Sequence, residues 1–357
     1  MNKYSLYALA LATLTFAACS DDDDDDSNSS KVVPSTSAVV LNTGNWNGND
    51  ASIMRYDLTN HAVTADLYYQ ANSENLGDLG QDIIKYGSKY YVTVSTSSKV
   101  VVLDKNFSVV KSIKFENENS EPTTPRYMAS ANGKVYVTAY DGKVTRIDTT
   151  SLAITGQVAV GDHPEAISYA NGKLYVNNSG YGSGNTVSVV DEASFTKTKD
   201  IEVALNPYTQ SRVADNGNVY IVSNGNYAGA SWLSEDQYVY ATVQCINTKT
   251  DEVSTVCNGT YIATYKNKLY VLYSEYYLPT RNKAFVYDLE TGEETTLTDI
   301  SEFSSLNGID VDPTTGNIYV YYSPYGSNAK ICGPIMADGT AAYSVEAGPY
   351  TCKMIFE

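Results

Sequence analysis

Polar and apolar positions along this chain alternate rather than recur at helical spacing, and the alternating stretches return at a regular distance. YGSKYYV (86–92), ANGKVYV (131–137), ANGKLYV (170–176) and DNGNVYI (215–221) are followed by YKNKLYV (265–271) and TTGNIYV (314–320). Their tyrosines, Tyr91, Tyr136, Tyr175, Tyr220, Tyr270 and Tyr319, stand 45, 39, 45, 50 and 49 residues apart. That period suits one four-stranded propeller blade. The Asn-Gly pairs at 132–133, 171–172 and 216–217 tolerate the positive φ of a tight hairpin turn. A third strand closing on an aspartate follows in VVVLD (100–104), VTRID (144–148), VSVVD (187–191) and AFVYD (284–288).

A twisted sheet of this kind has two apolar faces and cannot bury both alone, so neighbouring sheets must stack around an axis. The repeat tyrosines are therefore assigned to blade packing. The blade count follows from the ends. VVLNTGN (39–45) opens as a second strand with no first strand before it, and PYTCKMIFE (349–357) resembles the blade openings PRYMAS (125–130) and PYTQSRVA (207–214). The predicted fold is all-β, a seven-bladed β-propeller over residues 38–357, closed by the C-terminal strand joining the first blade. Pro125, Pro164, Pro207 and Pro349 recur just before first strands, where proline suits a strand entry.

The N-terminus has a different pattern. Lys3 and the apolar run 4–18 make a signal peptide over residues 1–18, too short for the roughly 20 apolar residues of a membrane-spanning helix. Ala17-Ala18-Cys19 resembles the lipobox of bacterial lipoproteins, in which the cysteine is lipidated. Residues 19–37 then read as an extended tether, because Asp21 to Asp26 repel one another. An acidic run in this place resembles the surface-export signal of Bacteroidetes lipoproteins; a solvated periplasmic spacer is the alternative.

Without residues 1–30 the chain keeps 35 acids against 23 bases, a net of −12. Nucleic acid and anionic lipid surfaces are poor partners for that charge. Cys245, Cys257, Cys332 and Cys352 match no zinc spacing and are read as small apolar residues, with a Cys245–Cys257 bridge as the leading exception.

In a propeller, the loops between second and third strands and the links between blades emerge on one face around the central channel. The loops NTGNWNGNDAS (42–52), NNSGYGSGNT (177–186), SNGNYAGASWLSEDQYVY (223–240), SEYYLPTRNKA (274–284) and SPYGSNAK (323–330) are rich in Tyr, Asn, Gly and Ser. That composition suits ligand-contacting loops, with rigid aromatic contact area beside adaptable hydrogen-bonding groups. They supply the ligand-binding candidates Asn45, Trp46, Tyr181, Tyr227, Trp232, Tyr276, Tyr277, Arg281 and Tyr325. The blade links add Asn75, Asp78, Gln81, Asp82, Arg126, His163, Glu165, Asn206, Tyr208, Asn307 and Tyr350. With only His61 and His163, and no nucleophile, phosphate-loop or metal motif, the chain is read as a binding protein with no metal and no catalytic residue.

From residue 38 onward the Asn-Gly-Lys-x-Tyr-Val repeats, with NLGDLGQDIIKYGSKYYV (75–92) and RYMASANGKVYVTAYDG (126–142), resemble the YncE-like propellers. More narrowly, they resemble Bacteroidetes surface lipoproteins of the DUF5074 type, the group of the cobalamin-capturing BtuG proteins. The resemblance implies cobalamin or a related corrinoid as a transported ligand rather than a cofactor, and a TonB-dependent outer-membrane transporter as partner. It also implies attachment to the outer membrane through a lipid on Cys19, facing outward. A surface glycan-binding lipoprotein is the first alternative, and a propeller lyase or lactonase the second.

Overall fold

The computed structural model describes residues 33–301, 303, 305–324 and 327–357. The expected signal peptide, Cys19, the acidic run and Tyr325 lie outside the described residues. Pairing begins slightly ahead of residue 38: Ser35 Oγ donates to Asp312 Oδ1 at 2.9 Å, and Thr36 N–H to the Glu357 carbonyl at 2.7 Å.

The alternating stretches form seven four-stranded antiparallel sheets. Two of the Asn-Gly pairs turn as expected, with φ of 48° and 74° at Asn132 and Gly133, and 49° and 75° at Asn171 and Gly172. Both positions lie in the left-handed region that two-residue hairpins require. At 216–217 only Gly217 has positive φ, and the turn is held instead by Asn216 Oδ1 accepting from the Asn218 N–H at 3.0 Å. The aspartates that close third strands have a shared purpose. Asp104, Asp148, Asp191 and Asp288 accept backbone N–H groups of the following turn at 2.8–3.0 Å, which fixes the reversal into the fourth strand.

Closure is as the ends predict. Thr351–Phe356 pairs antiparallel with Ser37–Asn42, which continues to Ser52–Asp57 and Val63–Thr64, so blade 1 takes its inner strand from the other end of the chain. The other inner strands are Gly80–Tyr86, Pro125–Ala131, Pro164–Ala170, Pro207–Val213, Tyr261–Tyr265 and Leu306–Val311, in blades 2 to 7. Each touches the next around a complete ring. Seven apolar cores result, one per pair of adjacent blades; Val39, Leu41 and Ile53 of blade 1 meet Ile83, Val92 and Leu103 of blade 2 in one of them. At roughly 1.5–3 kcal/mol per buried aliphatic side chain, this packing exists only when blades stack.

The six repeat tyrosines are buried. Two of them also tie blades together: the Tyr136 hydroxyl of blade 3 donates to Glu192 of blade 4, and Tyr175 of blade 4 donates to Asp251 of blade 5 at 2.8 Å. One element has no counterpart in the repeat. A single-turn-and-a-half helix, Leu67–Asn72, fills the link from blade 1 to blade 2, with Tyr68 in their shared core and Asn72 Nδ2 donating to the Phe107 carbonyl at 2.9 Å. The four described cysteines are free thiols. Cys257 lies opposite Val243 and Cys245 opposite Ser254, so the hairpin register separates the pair for which a bridge was the leading exception.

Candidate ligand-binding face

Six of the seven inner strands break register near their first residues, where they approach the loop face. Gln81 in blade 2, Asn307 in blade 7 and Cys352 in blade 1 are each an extra residue opposite a continuous partner strand. In blade 3 Arg126 and Tyr127 face only Thr138, in blade 4 Glu165 and Ala166 face only Asn177, and in blade 5 Tyr208, Thr209 and Gln210 face only Val222. A bulge re-aims side chains that a regular strand would alternate between faces. These bulges supply most of the mouth of an axial channel of about 480 Å³, lined by residues of all seven inner strands.

One connected network closes part of that mouth. Arg126 Nε and NH2 hold Glu165 Oε2 and Oε1 at 2.9 and 3.2 Å, and Arg126 NH1 donates to Gln81 Oε1 at 2.6 Å. Gln81 Nε2 in turn donates to the Tyr127 hydroxyl at 2.6 Å, and the Tyr140 hydroxyl donates to Glu165 Oε1 at 2.5 Å. The Arg126 guanidinium also lies over the Tyr140 ring, 4.7 Å from its centroid. Arg126 and Glu165 are both buried. Burial pushes the Glu165 carboxyl up from the ordinary range, against the pull of Arg126 and of the Tyr140 hydrogen bond. The charges cancel locally, and the mouth presents mainly amides and phenols.

The loops put aromatic rings on the same face. Trp46, Tyr181, Tyr227, Trp232 and Tyr276 are 71, 79, 65, 65 and 80 % exposed, unusual values for such large apolar groups. Tyr181 and Tyr227 lie close enough to Tyr208 at the channel to help raise its phenol pKa, after burial and Glu165. His163 carries the rim inward, with ring centroids 5.2 Å from Tyr181 and 4.9 Å from Tyr140, while its Nδ1 meets Asp162 Oδ1 at 2.9 Å. Over blades 5 and 6 a second group forms, Trp232 edge-on to Tyr277 at 5.6 Å and Tyr277 to Tyr276 at 4.8 Å.

Not all candidates converge. Gln81, Asp82, Tyr208, Asn307 and Tyr350 line the channel with the Arg126–Glu165 pair beside them. Asn45 is spent on its own loop, with backbone and side-chain donors to Asp50 at 2.7 Å. Asn75 lies in a separate groove of about 290 Å³ beside the short helix, donating to the Asn49 carbonyl at 3.1 Å. Asp78 is not among the channel-lining residues; its backbone N–H donates to Ser97 Oγ at 2.9 Å and its Oδ1 is buried without a partner among the described residues. Arg281 stacks over Tyr240, 4.2 Å from the ring centroid. Asn206 turns inward, its Oδ1 buried without a partner among the described residues.

Tyr127, Tyr140, Tyr261, Arg212 and Lys353 belong to the site or its channel and were absent from the candidates. A signal for two of these rings, Tyr127 and Tyr261, is present: PRY (125–127), PYT (207–209), TYI (260–262) and PYT (349–351) repeat a tyrosine at the start of inner strands; Tyr140 has no such mark.

No protein-family model matches the chain, and no curated protein does. Solved structures are similar in fold. Dihydro-heme d1 dehydrogenase NirN in complex with DHE aligns over 91% of this chain and 76% of that one, with a TM-score of 0.60 at 11% identity. The Neurospora crassa Pan2 WD40 domain aligns over 80% and 85% with a TM-score of 0.54 at 10% identity. Kuenenia stuttgartiensis hydrazine synthase aligns over 69% and 73% with a TM-score of 0.52 at 15% identity. At such identities the likeness concerns propeller architecture and carries no ligand with it.

Proposed function

We propose that this propeller is a lipid-anchored surface protein that captures cobalamin or a related corrinoid on its loop face and passes it to a TonB-dependent outer-membrane transporter. The observation that carries the reading is the exposure of Trp46, Tyr181, Tyr227, Trp232 and Tyr276 in second-to-third-strand loops of blades 1, 4, 5 and 6, on the face where a channel opens with its buried Arg126 and Glu165 paired. A corrinoid is a broad macrocycle fringed with neutral amides. It matches aromatic platforms at the rim and amide and phenol groups, such as Gln81, Asn307 and Tyr208, at the centre.

Binding rather than catalysis is favoured because Glu165, the buried acid at the mouth, accepts from Arg126 on both oxygens and from Tyr140 on one, which makes it the counter-ion of a buried cation rather than a poised general base. Surface glycan binding is the second reading. It draws on the groove beside the short helix, lined by exposed Tyr69 with Asp66 and Asn75, an aromatic ring and polar side chains of the kinds that contact sugars. Calorimetric titration of the protein with cyanocobalamin, beside a panel of host and plant glycans, separates the two. Saturable heat with cyanocobalamin at micromolar concentration supports the corrinoid reading; silence there with saturable binding of an oligosaccharide replaces it.

A further inference from the structure

The deep part of the channel has a chemistry the rim does not explain. In blade 5 the inner strand carries two extra residues between the Pro207–Ser223 and Ser211–Ile221 pairs, and Tyr208 to Val213 line the channel consecutively. This brings Arg212 to the wall. Its NH1 donates to the adjacent Ser211 carbonyl at 3.0 Å, and its NH2 stands 3.9 Å from Asp310 Oδ1, the outer limit of an ion pair. Its remaining donors have no acceptor among the described residues.

Of the carboxylates on the wall, Asp82 is committed elsewhere and Asp310 is committed through one oxygen. Asp82 is held by Lys353 Nζ at 2.6 Å and by the Met128 N–H at 2.9 Å. Asp310 accepts from the Tyr321 hydroxyl and the Met354 N–H, both at 2.9 Å and both on Oδ2, so only its Oδ1 faces Arg212, beyond hydrogen-bond distance. Two phenols line the same cavity without a hydrogen-bond partner among the described residues, Tyr208 and Tyr261. Burial raises the Tyr261 phenol to about 12, so it remains an O–H donor. A half-buried guanidinium with open donors, flanked by unused phenol donors, lacks only acceptors.

We propose that the channel is an oxyanion site, taking a phosphate ester or a carboxylate, with Arg212 as charge and forked donor and Tyr208 and Tyr261 as neutral donors. The guanidinium fork matches either group in two parallel hydrogen bonds. The site does not depend on the corrinoid reading: the anion is either a free small molecule or the phosphodiester of a larger ligand seated on the loop face.

The test uses the full-length chain and four probes at constant ionic strength: inorganic phosphate, acetate, cyanocobalamin, and dicyanocobinamide, which lacks the nucleotide phosphodiester. Arg212→Gln is expected to lower the affinity for phosphate or acetate about tenfold or more. Should that variant fold poorly, the Tyr208→Phe/Tyr261→Phe pair keeps the channel's shape and is expected to show a smaller loss of the same selectivity. A loss for cyanocobalamin with none for cobinamide assigns the anion to a ligand's phosphodiester. A loss confined to phosphate or acetate assigns it to a free anion. The proposal is overturned if the wild-type chain binds none of the four, if both variants bind all four as the wild type does, or if cobinamide loses as much affinity as the rest.

Discussion

Arg126 Nε on blade 3 stands 2.9 Å from Glu165 Oε2 on blade 4, and its NH2 3.2 Å from Glu165 Oε1, so a forked pair joins two blades where the channel opens. Replacing Glu165 with Ala leaves a buried guanidinium without its counter-charge. We expect a loss of about 3–5 kcal/mol, read from urea unfolding. The double change Arg126→Met/Glu165→Leu should recover most of it, because it removes both charges together.

The repeat tyrosines separate by their hydroxyl partners. Tyr175 donates to Asp251 across a blade boundary, whereas the buried Tyr91 hydroxyl has no partner among the described residues. Tyr175→Phe should cost about 1.5–3 kcal/mol, the range for a hydrogen bond to a charged group, and Tyr91→Phe should be neutral or slightly stabilising. No loss in either variant, by thermal or urea unfolding, would show that ring packing alone sets their contribution.

The blades were legible because a hairpin leaves local marks: positive-φ Asn-Gly pairs, alternating Val and Tyr, and an aspartate for the next turn. Ring closure was legible for the same reason, since Thr351–Phe356 looks like the opening of other blades. The channel chemistry was only partly legible. Gln81, Arg126 and Glu165 were picked out as residues of the links, but their juxtaposition depends on bulges, and a bulge is an offset between two strands that neither strand records alone. In a regular strand Tyr208, Gln210 and Arg212 would share a face and Thr209 and Ser211 would not; the bulge, which the strand does not record alone, puts all five on the channel wall. The helix Leu67–Asn72 was missed because six residues are too few to show a helical period.

Glu357 bears on how acid affects the closing seam. Burial alone would raise its carboxyl, but Lys85, Tyr90 and Arg55 together outweigh that and hold it below the ordinary 4.5. A lowered folded-state pKa means that the stabilisation is fully present above 4.5 and is lost as pH falls through the lower folded value. Glu357→Gln should therefore melt about 2 °C below the parent at neutral pH. The gap should close as pH drops below 4.5, and a gap independent of pH would refute the assignment.

Anchoring is tested at the N-terminus. On the proposed lipid anchoring, Cys19→Ala should move the protein from the membrane fraction to the soluble one, since acyl chains on Cys19 would supply the attachment. Replacing Asp21 to Asp26 with Ala should keep it anchored but protected from protease added to intact cells. Equal shaving of the parent and the Ala variant would remove the acidic run as an export signal.

The loop face makes the last prediction, because its aromatics are exposed and contribute little to the fold. Trp46→Ala, Trp232→Ala and Tyr276→Ala should each leave the melting temperature nearly unchanged. Tyr227 calls for a different substitution: its φ of 61° lies in the left-handed region, so Tyr227→Gly removes the ring while relieving the backbone. A loss of binding in that variant therefore cannot be ascribed to strain. Interface hot spots typically cost about 2 kcal/mol or more on truncation, so at least one of the four should bind cyanocobalamin roughly thirtyfold more weakly. Tyr227 is the strongest candidate, because it lies near Tyr208 at the channel, whereas Trp232 is partly occupied with Tyr277. Four variants that bind as tightly as the parent would move the ligand off this face, even with cyanocobalamin binding intact.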